Sequence, residues 1–398
     1  MKSGGTFHVS FEQPIMNLNS LNAIRNEYES SNIVLVGIDT VGKKPLRKRA
    51  SYPIFIGGAT ESEKVTSLTI GDEHSVSAAA YVFAQEHLTV SKYELQIAAV
   101  ASIIYNKSLR APKKTSPANK AIVKTAIDAN LLEERSGVRL FGYNFLPLDE
   151  VLLFCARPYI QGLSGNQKAC DVFLSEADIP VTKMRSPMSS LNKLEIQDFT
   201  QHLTSKLLEK GGPSIIPFGT DYILTKEGES SPLRYLSGLE AIADTAWARQ
   251  ELGAAMSIWI GDRGRALRTM IDTYLSHSKD VISTVQRIET TMKVTSNETS
   301  TMIDVLGIRK ELLTDVGRVA LQAGIVDPGR PLAISNEECS VIIWTHKNIV
   351  VNQIIPDLER QNLSPKSTSP QSLKFENIDN DTRTEILMMV ANRTKRRR

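Results

Sequence analysis

Cysteine is scarce in this chain of 398 residues: only Cys155, Cys170 and Cys339 occur. Three thiols cannot build the disulfide framework of a small secreted domain, so a reducing compartment is expected. Histidine is scarce as well. His8, His74, His87, His202, His277 and His346 stand singly, without the i, i+4 partner or nearby cysteine that a zinc site needs. No apolar run approaches the roughly 20 residues that span a bilayer, and the N-terminus lacks the charged-then-apolar order of a secretory leader. Net charge is nearly absent, since 47 Lys+Arg against 44 Asp+Glu leave +3, which excludes a protamine-like polycation. Catalytic signatures are missing too: there is no Gly-x-x-x-x-Gly-Lys-Ser/Thr loop, no Gly-x-Gly-x-x-Gly after a strand and no Gly-x-Ser-x-Gly elbow. No cofactor, no metal and no enzyme activity are expected.

What is present suits a folded chain. With 41% hydrophobic and 23% charged residues, it can bury two cores of ordinary size. Residues 1–30 are Asn/Ser-rich and read as an arm. The runs Asn32–Ile38, Tyr52–Ile56 and Val65–Ile70 read as short strands. Helices follow: Asp72 is placed to cap one running to about Leu88, Ser91 with Glu94 forms a capping box, and Ser116-Pro117 opens another. Pro147 precedes a short one, and Leu191–Glu209 carries apolar residues at helical spacing.

These signals give a mainly α fold of two helical domains around a basic cleft, with small β-hairpin elements near the N-terminus and at the boundary. Residues 31–213 form the first domain, 214–230 the boundary, 231–360 the second domain and 361–398 a flexible tail. From Leu267 to Val316, apolar residues recur at alternating four- and three-residue steps, which fits either a helical hairpin or a continuous oligomerising coiled coil. Ser335 with Glu338 reads as a capping box for a helix from Cys339 to Ile354. The tail is a Ser/Pro-rich linker, then a short helix over 382–392, then a basic end, Arg393 to Arg398. That basic end reads as a nuclear-import signal, a weak phosphate-binding tail or a solubilising terminus.

The cations are unevenly spread. No acid occurs from Leu95 to Ile127, a stretch that holds Tyr105, Lys107, Arg110, Lys113, Lys114, Lys120 and Lys124. A second acid-free group is Lys43, Lys44, Arg47, Lys48 and Arg49. A third is Arg263, Arg265 and Arg268 at a helix start, and Lys183 with Arg185 stand near the first domain's end. Such loops offer cations and free backbone N–H groups to a phosphate chain, and Tyr105 could stack on a base. The competing reading is a solvated surface whose acids come from elsewhere in the fold. Phospholipid or acidic-protein binding is a third. The adjacent acids Glu133-Glu134 and Asp149-Glu150 read as solvated faces, because neighbouring helical side chains do not converge.

Gly162-Leu163-Ser164-Gly165-Asn166-Gln167-Lys168 is similar to the signature loop of transport ATPases, but without a phosphate-binding loop upstream the likeness is chance. In layout, a helical core over 30–360 with a detachable tail resembles the nucleocapsid proteins of negative-strand RNA viruses. Arg185-Ser186-Pro187-Met188-Ser189 is similar to a Ser-Pro-Tyr-Ser stretch of rhabdovirus nucleoproteins, with Met in place of the aromatic. That resemblance implies sequence-independent sheathing of single-stranded RNA, homo-oligomerisation into a helical ribonucleoprotein, and no catalysis. It also implies a capsid role in the virion and host cytoplasm, with the nucleus open through the basic C-terminus. The tail helix 382–392 would dock a polymerase cofactor. The alternative is a coiled-coil scaffold or viral phosphoprotein-like polymerase cofactor; an enzyme built from dispersed residues is a third reading.

Overall fold

The computed structural model describes residues 9, 15–29, 31–41, 54–56, 66–68, 75–107, 116–209, 217–292, 294–346, 349, 351–369 and 371–395. The chain forms two compact units, Met1–Ala129 and Asn130–Arg398.

In the first unit, β1 (Ile15–Asn17) leads directly into α1 (Leu18–Glu27). The strands β2 (Val34–Val36), β3 (Asp39–Val41), β4 (Ile54–Ile56) and β5 (Thr66–Leu68) follow. β1 pairs in parallel with β3, while β2, β4 and β5 form a parallel three-stranded sheet in that order. Met16 and Leu21 are buried with Leu35 and Phe55. From Ile15 onward, therefore, the expected arm is a strand and a helix that bury Met16 and Leu21 in this core. Three helices follow: α2 (Val76–His87), α3 (Lys92–Lys107) and α4 (Pro117–Asp128). Their starts follow local chemistry. Ser116 Oγ accepts from Ala118 N–H with Pro117 at the first helical position, and the Ser91 N–H donates to Glu94 Oε2 at 2.6 Å. The cap of α2 is Ser75 rather than Asp72, which lies outside the described residues. Ser75 also donates its N–H to Asn119 Oδ1 and meets Ser102 Oγ, so this buried polar trio fastens three segments together.

The second unit opens with β6 (Leu132–Val138). Then come α5 (Leu148–Leu153), α6 (Gln167–Glu176), α7 (Val181–Met184) and α8 (Lys193–Leu208). They enclose a core that includes Leu148, Leu152, Phe173, Phe199 and Leu203. β7 (Phe218–Leu224) then pairs antiparallel with the whole of β6. The segment expected as a boundary thus holds a strand that returns to the start of its own unit.

Three helices follow, α9 (Leu236–Arg249), α10 (Leu252–Trp259) and α11 (Arg265–Thr290). Beyond them lie β8 (Val294–Ser296), β9 (Thr301–Asp304), α12 (Leu313–Gln322), β10 (Leu332–Ser335) and β11 (Cys339–Ile343). The chain continues through α13 (Ile355–Arg360), β12 (Lys366–Ser369), β13 (Ser372–Glu376) and α14 (Asn380–Lys395). A six-stranded sheet in the order β12-β13-β11-β10-β9-β8 gathers these strands, with only β9 and β10 parallel. Helix is the main element of the chain, but this sheet makes the second unit mixed rather than all-helical.

Three expectations are corrected here. The 267–316 periodicity is neither a coiled coil nor a helical hairpin: α11 ends at Thr290, and the Thr/Ser-rich stretch after it pairs as β8 and β9. Residues 339–343 are a strand, not the start of a helix; every side chain of β11 is buried, so no alternation marks it as β. Residues 361–398 are not a loose tail. β12 and β13 close one edge of the sheet, and Ile386, Leu387 and Val390 of α14 are buried. Arg383 Nη1 donates to Asp304 Oδ1 at 2.7 Å and also to the Ser335 hydroxyl, tying α14 to the sheet. The apolar stripe that looked like a docking motif is covered by its own chain.

Candidate functional site

Four segments of the second unit converge on a charge cluster. Arg157 comes from the loop after α5, Asp244 from α9, His277 from α11, and Asp315 with Arg318 from α12. Arg157 Nη1 donates to Asp244 Oδ2 at 2.6 Å, and its Nη2 donates to Asp315 Oδ1. His277 Nε2 lies 2.8 Å from Asp315 Oδ2, and Arg318 Nη1 lies 3.6 Å from Asp315 Oδ1. Burial separates the two carboxylates. The Asp315 side chain is 7% exposed and that of Asp244 is 62% exposed, so the inner pair carries the electrostatic weight. Burial by itself would push the Asp315 carboxyl up, yet Arg157, His277 and Arg318 together hold it well below the usual carboxylate range.

Beside Arg157, a small pocket is lined by Phe141, Phe154, Glu150 and Tyr274 among others. Phe141 and Tyr274 lie with ring centroids 3.9 Å apart. Burial raises the Tyr274 hydroxyl, and the Cys155 thiol is pushed up to about 12 for the same reason, so neither is a nucleophile near neutral pH.

The loop that carries Arg157 is pinned along α11. Tyr159 Oη donates to Glu289 Oε2 at 2.6 Å, Gln161 Nε2 to Glu289 Oε1 at 2.6 Å, and Gln286 Nε2 to the Ser164 carbonyl at 2.9 Å. Within it, Ser164 Oγ donates to the Cys155 carbonyl and accepts from the Ile160 N–H. Gly165 sits at φ +76, where a Cβ would lie 2.6 Å from Ile282 Cγ2 and 2.8 Å from Gln286 Nε2. Gly162–Gly165 is therefore a turn that must approach α11 closely, and Asn166 after it caps α6. The glycine at 165 serves packing. Tyr159→Phe is expected to lower stability by about 1.5–2 kcal/mol, because it removes a hydrogen bond to a charged group. Urea unfolding of the full chain checks this.

Several of the basic residues singled out in the sequence are neutralised by distant acids. Lys183 Nζ donates to both carboxylate oxygens of Glu195 at 2.7 Å. Arg185 donates to the buried Asp149, and to Asp171 at 3.2 Å. Arg263 is paired with Glu227 at 2.7 Å. Asp149, expected on a solvated face, is buried. Lys120 and Lys124 are exposed on α4, and Arg265 and Arg268 are exposed in the first turn of α11. Tyr105 and Lys107 fall in the last turn of α3. Lys43, Lys44, Arg47, Lys48, Arg49, Arg110, Lys113 and Lys114 lie outside the described residues. Sequence reasoning missed Arg157, Asp244 and Asp315 altogether. No local signal marks them, since their partners are 87 and 158 residues away in the chain.

No protein-family model matches this chain, and no curated protein matches it. Solved structures do. The crystal structure of CDC45 from Entamoeba histolytica matches with a TM-score of 0.59 at 11% identity, covering 95% of this chain and 88% of that one. The chain shares its fold with CDC45. RecJ from Thermus thermophilus in complex with Mn2+ matches at a TM-score of 0.41 and 10% identity, over 94% of this chain and 43% of that chain. An exonuclease RecJ bound to manganese matches at 0.35 and 10%, over 96% and 76%.

These findings overturn the nucleocapsid reading, and with it RNA sheathing, assembly into a helical ribonucleoprotein and a capsid role. The layout that carried the reading, a helical core with a detachable tail, does not exist in the CDC45-like fold. The expectation that the chain is no enzyme is withdrawn as well: it rested on absent short motifs and on the nucleocapsid resemblance, and that resemblance falls with the fold match. Among the described residues, no group of three or more His, Cys, Asp or Glu could hold a metal ion. Among the described residues, no helix is long and apolar enough to cross a membrane.

Proposed function

We propose that this chain serves DNA replication as a CDC45-like member of a replication complex, acting through contacts with partner proteins. The observation that carries this reading is the extent of the fold match. It spans 95% of this chain and 88% of the CDC45 chain, so it is not the sharing of one common module.

The test is conditional depletion of the chain in its source cells with pulse labelling of nascent DNA. Labelling is expected to collapse within about one generation, with transcription unaffected. Sustained DNA synthesis would overturn the reading. Robust degradation of single-stranded DNA by the purified chain with Mn2+, together with normal replication in depleted cells, would favour a nuclease instead.

A further inference from the structure

The sequence holds five Ser-Pro dipeptides, at Ser116, Ser186, Ser231, Ser364 and Ser369. In four of them the fold itself uses the serine. Ser116 is buried and caps α4. The Ser231 hydroxyl donates to Glu227 Oε2 at 2.8 Å and accepts from the Leu233 N–H at 3.3 Å. Ser369 Oγ lies 2.6 Å from Ser372 Oγ and accepts from the Gln371 N–H at 3.2 Å. Ser186 is half-buried; its carbonyl accepts the Leu148 N–H at 3.0 Å and its hydroxyl reaches the Thr182 carbonyl at 3.5 Å.

Ser364 differs from all four. It is exposed, and among the described residues its hydroxyl meets no hydrogen-bond partner. Pro365 opens no helix, because the dipeptide lies between α13 and β12, so capping gives no account of it. The segment is nonetheless held in place. Asn362 at φ +60 turns the chain out of α13, and the Leu363 N–H donates to the Leu358 carbonyl at 3.0 Å. Ser364 and Lys366 are then exposed, whereas Pro365 is half-buried and Ser367 is buried. That alternation is the two-residue period of extended chain, the conformation a proline favours in the residue before it.

We propose that Ser364 is a phosphorylation site for a proline-directed protein kinase. Such a kinase takes its substrate as extended chain with a free hydroxyl, and Pro365 brings no N–H to strand unpaired in the kinase's pocket. In the step, Ser364 Oγ bonds to the γ-phosphorus of Mg-ATP and the bond from that phosphorus to the β,γ-bridging oxygen breaks. ADP leaves, and the hydroxyl proton passes to the carboxylate base of the kinase. The new dianion has a cation at hand, because Lys366 is exposed on the same side of the extended chain. Lys366 Nζ otherwise donates to Glu376 Oε1 at 2.8 Å between β12 and β13, so the phosphate competes for it at the edge of the six-stranded sheet. The site goes beyond the replication reading and does not rest on it.

The experiment maps phosphate on the full chain by mass spectrometry in two ways. One sample is purified from the source cells; the other is unphosphorylated chain treated with a mitogen-activated protein kinase and Mg-ATP. Phosphate is expected on Ser364, with Ser116, Ser186, Ser231 and Ser369 unmodified. Ser364→Ala should abolish the labelling, and Pro365→Ala, which keeps the hydroxyl, should remove most of it. Ser364 is exposed, so an unchanged melting temperature of Ser364→Ala separates the loss from misfolding. Phosphate found only on another Ser-Pro, labelling that survives Ser364→Ala, or a peptide around 364 that is unmodified in both samples overturns the site. None of these results bears on the replication reading, which the depletion experiment tests separately.

Discussion

Arg157→Met is expected to lower the unfolding free energy of the chain by about 3–5 kcal/mol, the cost of leaving a buried carboxylate without its main partner. Arg157 is the group that meets both carboxylates, and without it Asp315 keeps only Arg318 at 3.6 Å and His277 at 2.8 Å. Urea unfolding at neutral pH, followed by tryptophan fluorescence, measures the loss. Arg157→Met combined with Asp315→Leu should recover most of it, because the stranded charge is gone. A single-variant loss below about 1 kcal/mol would show that the inner pair is screened like a surface bridge.

The pH dependence carries a definite sign. The folded carboxyl of Asp315 lies below its unfolded value near 3.9, so its contribution is complete above that value. It drains away as pH falls below about 4 toward the lowered folded value. Asp315→Asn should therefore flatten the acid limb of the stability curve and leave its shape above about pH 5 unchanged.

Gly238→Ala is expected to destabilise by about 3 kcal/mol or more, opposite in sign to the usual effect of that exchange in a helix. Ala is ordinarily preferred to Gly in a helix by about 1 kcal/mol. Gly238 lies in the first turn of α9, where a Cβ would fall 2.0 Å from the Pro232 carbonyl oxygen. A backbone carbonyl cannot rotate away as a side chain would. The turn before α9 must move, and with it Tyr235, whose carbonyl accepts the Gly238 N–H and whose ring meets Tyr143 at 5.1 Å. Thermal unfolding of the variant decides the sign. A rise in melting temperature would mean that the Pro232 turn yields freely.

The parts of the fold that were legible in the sequence are those whose cause lies within four residues. Ser116-Pro117 and Ser91/Glu94 open helices because each side chain reaches only the next turn. The sheet was illegible for the converse reason. β11 and β10 are buried on both sides, so Cys339–Ile343 and Leu332–Ser335 show no alternation, and a capping pair at Ser335/Glu338 happened to precede an apolar run. In the structure, Ser335 faces Ser340 across the hairpin, and their hydroxyls bond at 2.8 Å. Likewise, a local deficit of acids says nothing about acids delivered from elsewhere. Arg185 finds Asp149 and Arg263 finds Glu227, each 36 residues away.

By itself the sequence determined the reach of local chemistry: the helix starts at Ser91/Glu94 and Ser116-Pro117, and a helical periodicity from Leu267 whose end it did not fix. Only the tertiary structure decided that the C-terminal segment closes a sheet, that Asp315 is buried and charged among two arginines and a histidine, and that the fold is CDC45-like. The division follows from range. A cap or a turn is set by torsions and hydrogen bonds between neighbours, whereas strand order and a buried ion pair depend on which distant segments the packing of two cores brings together.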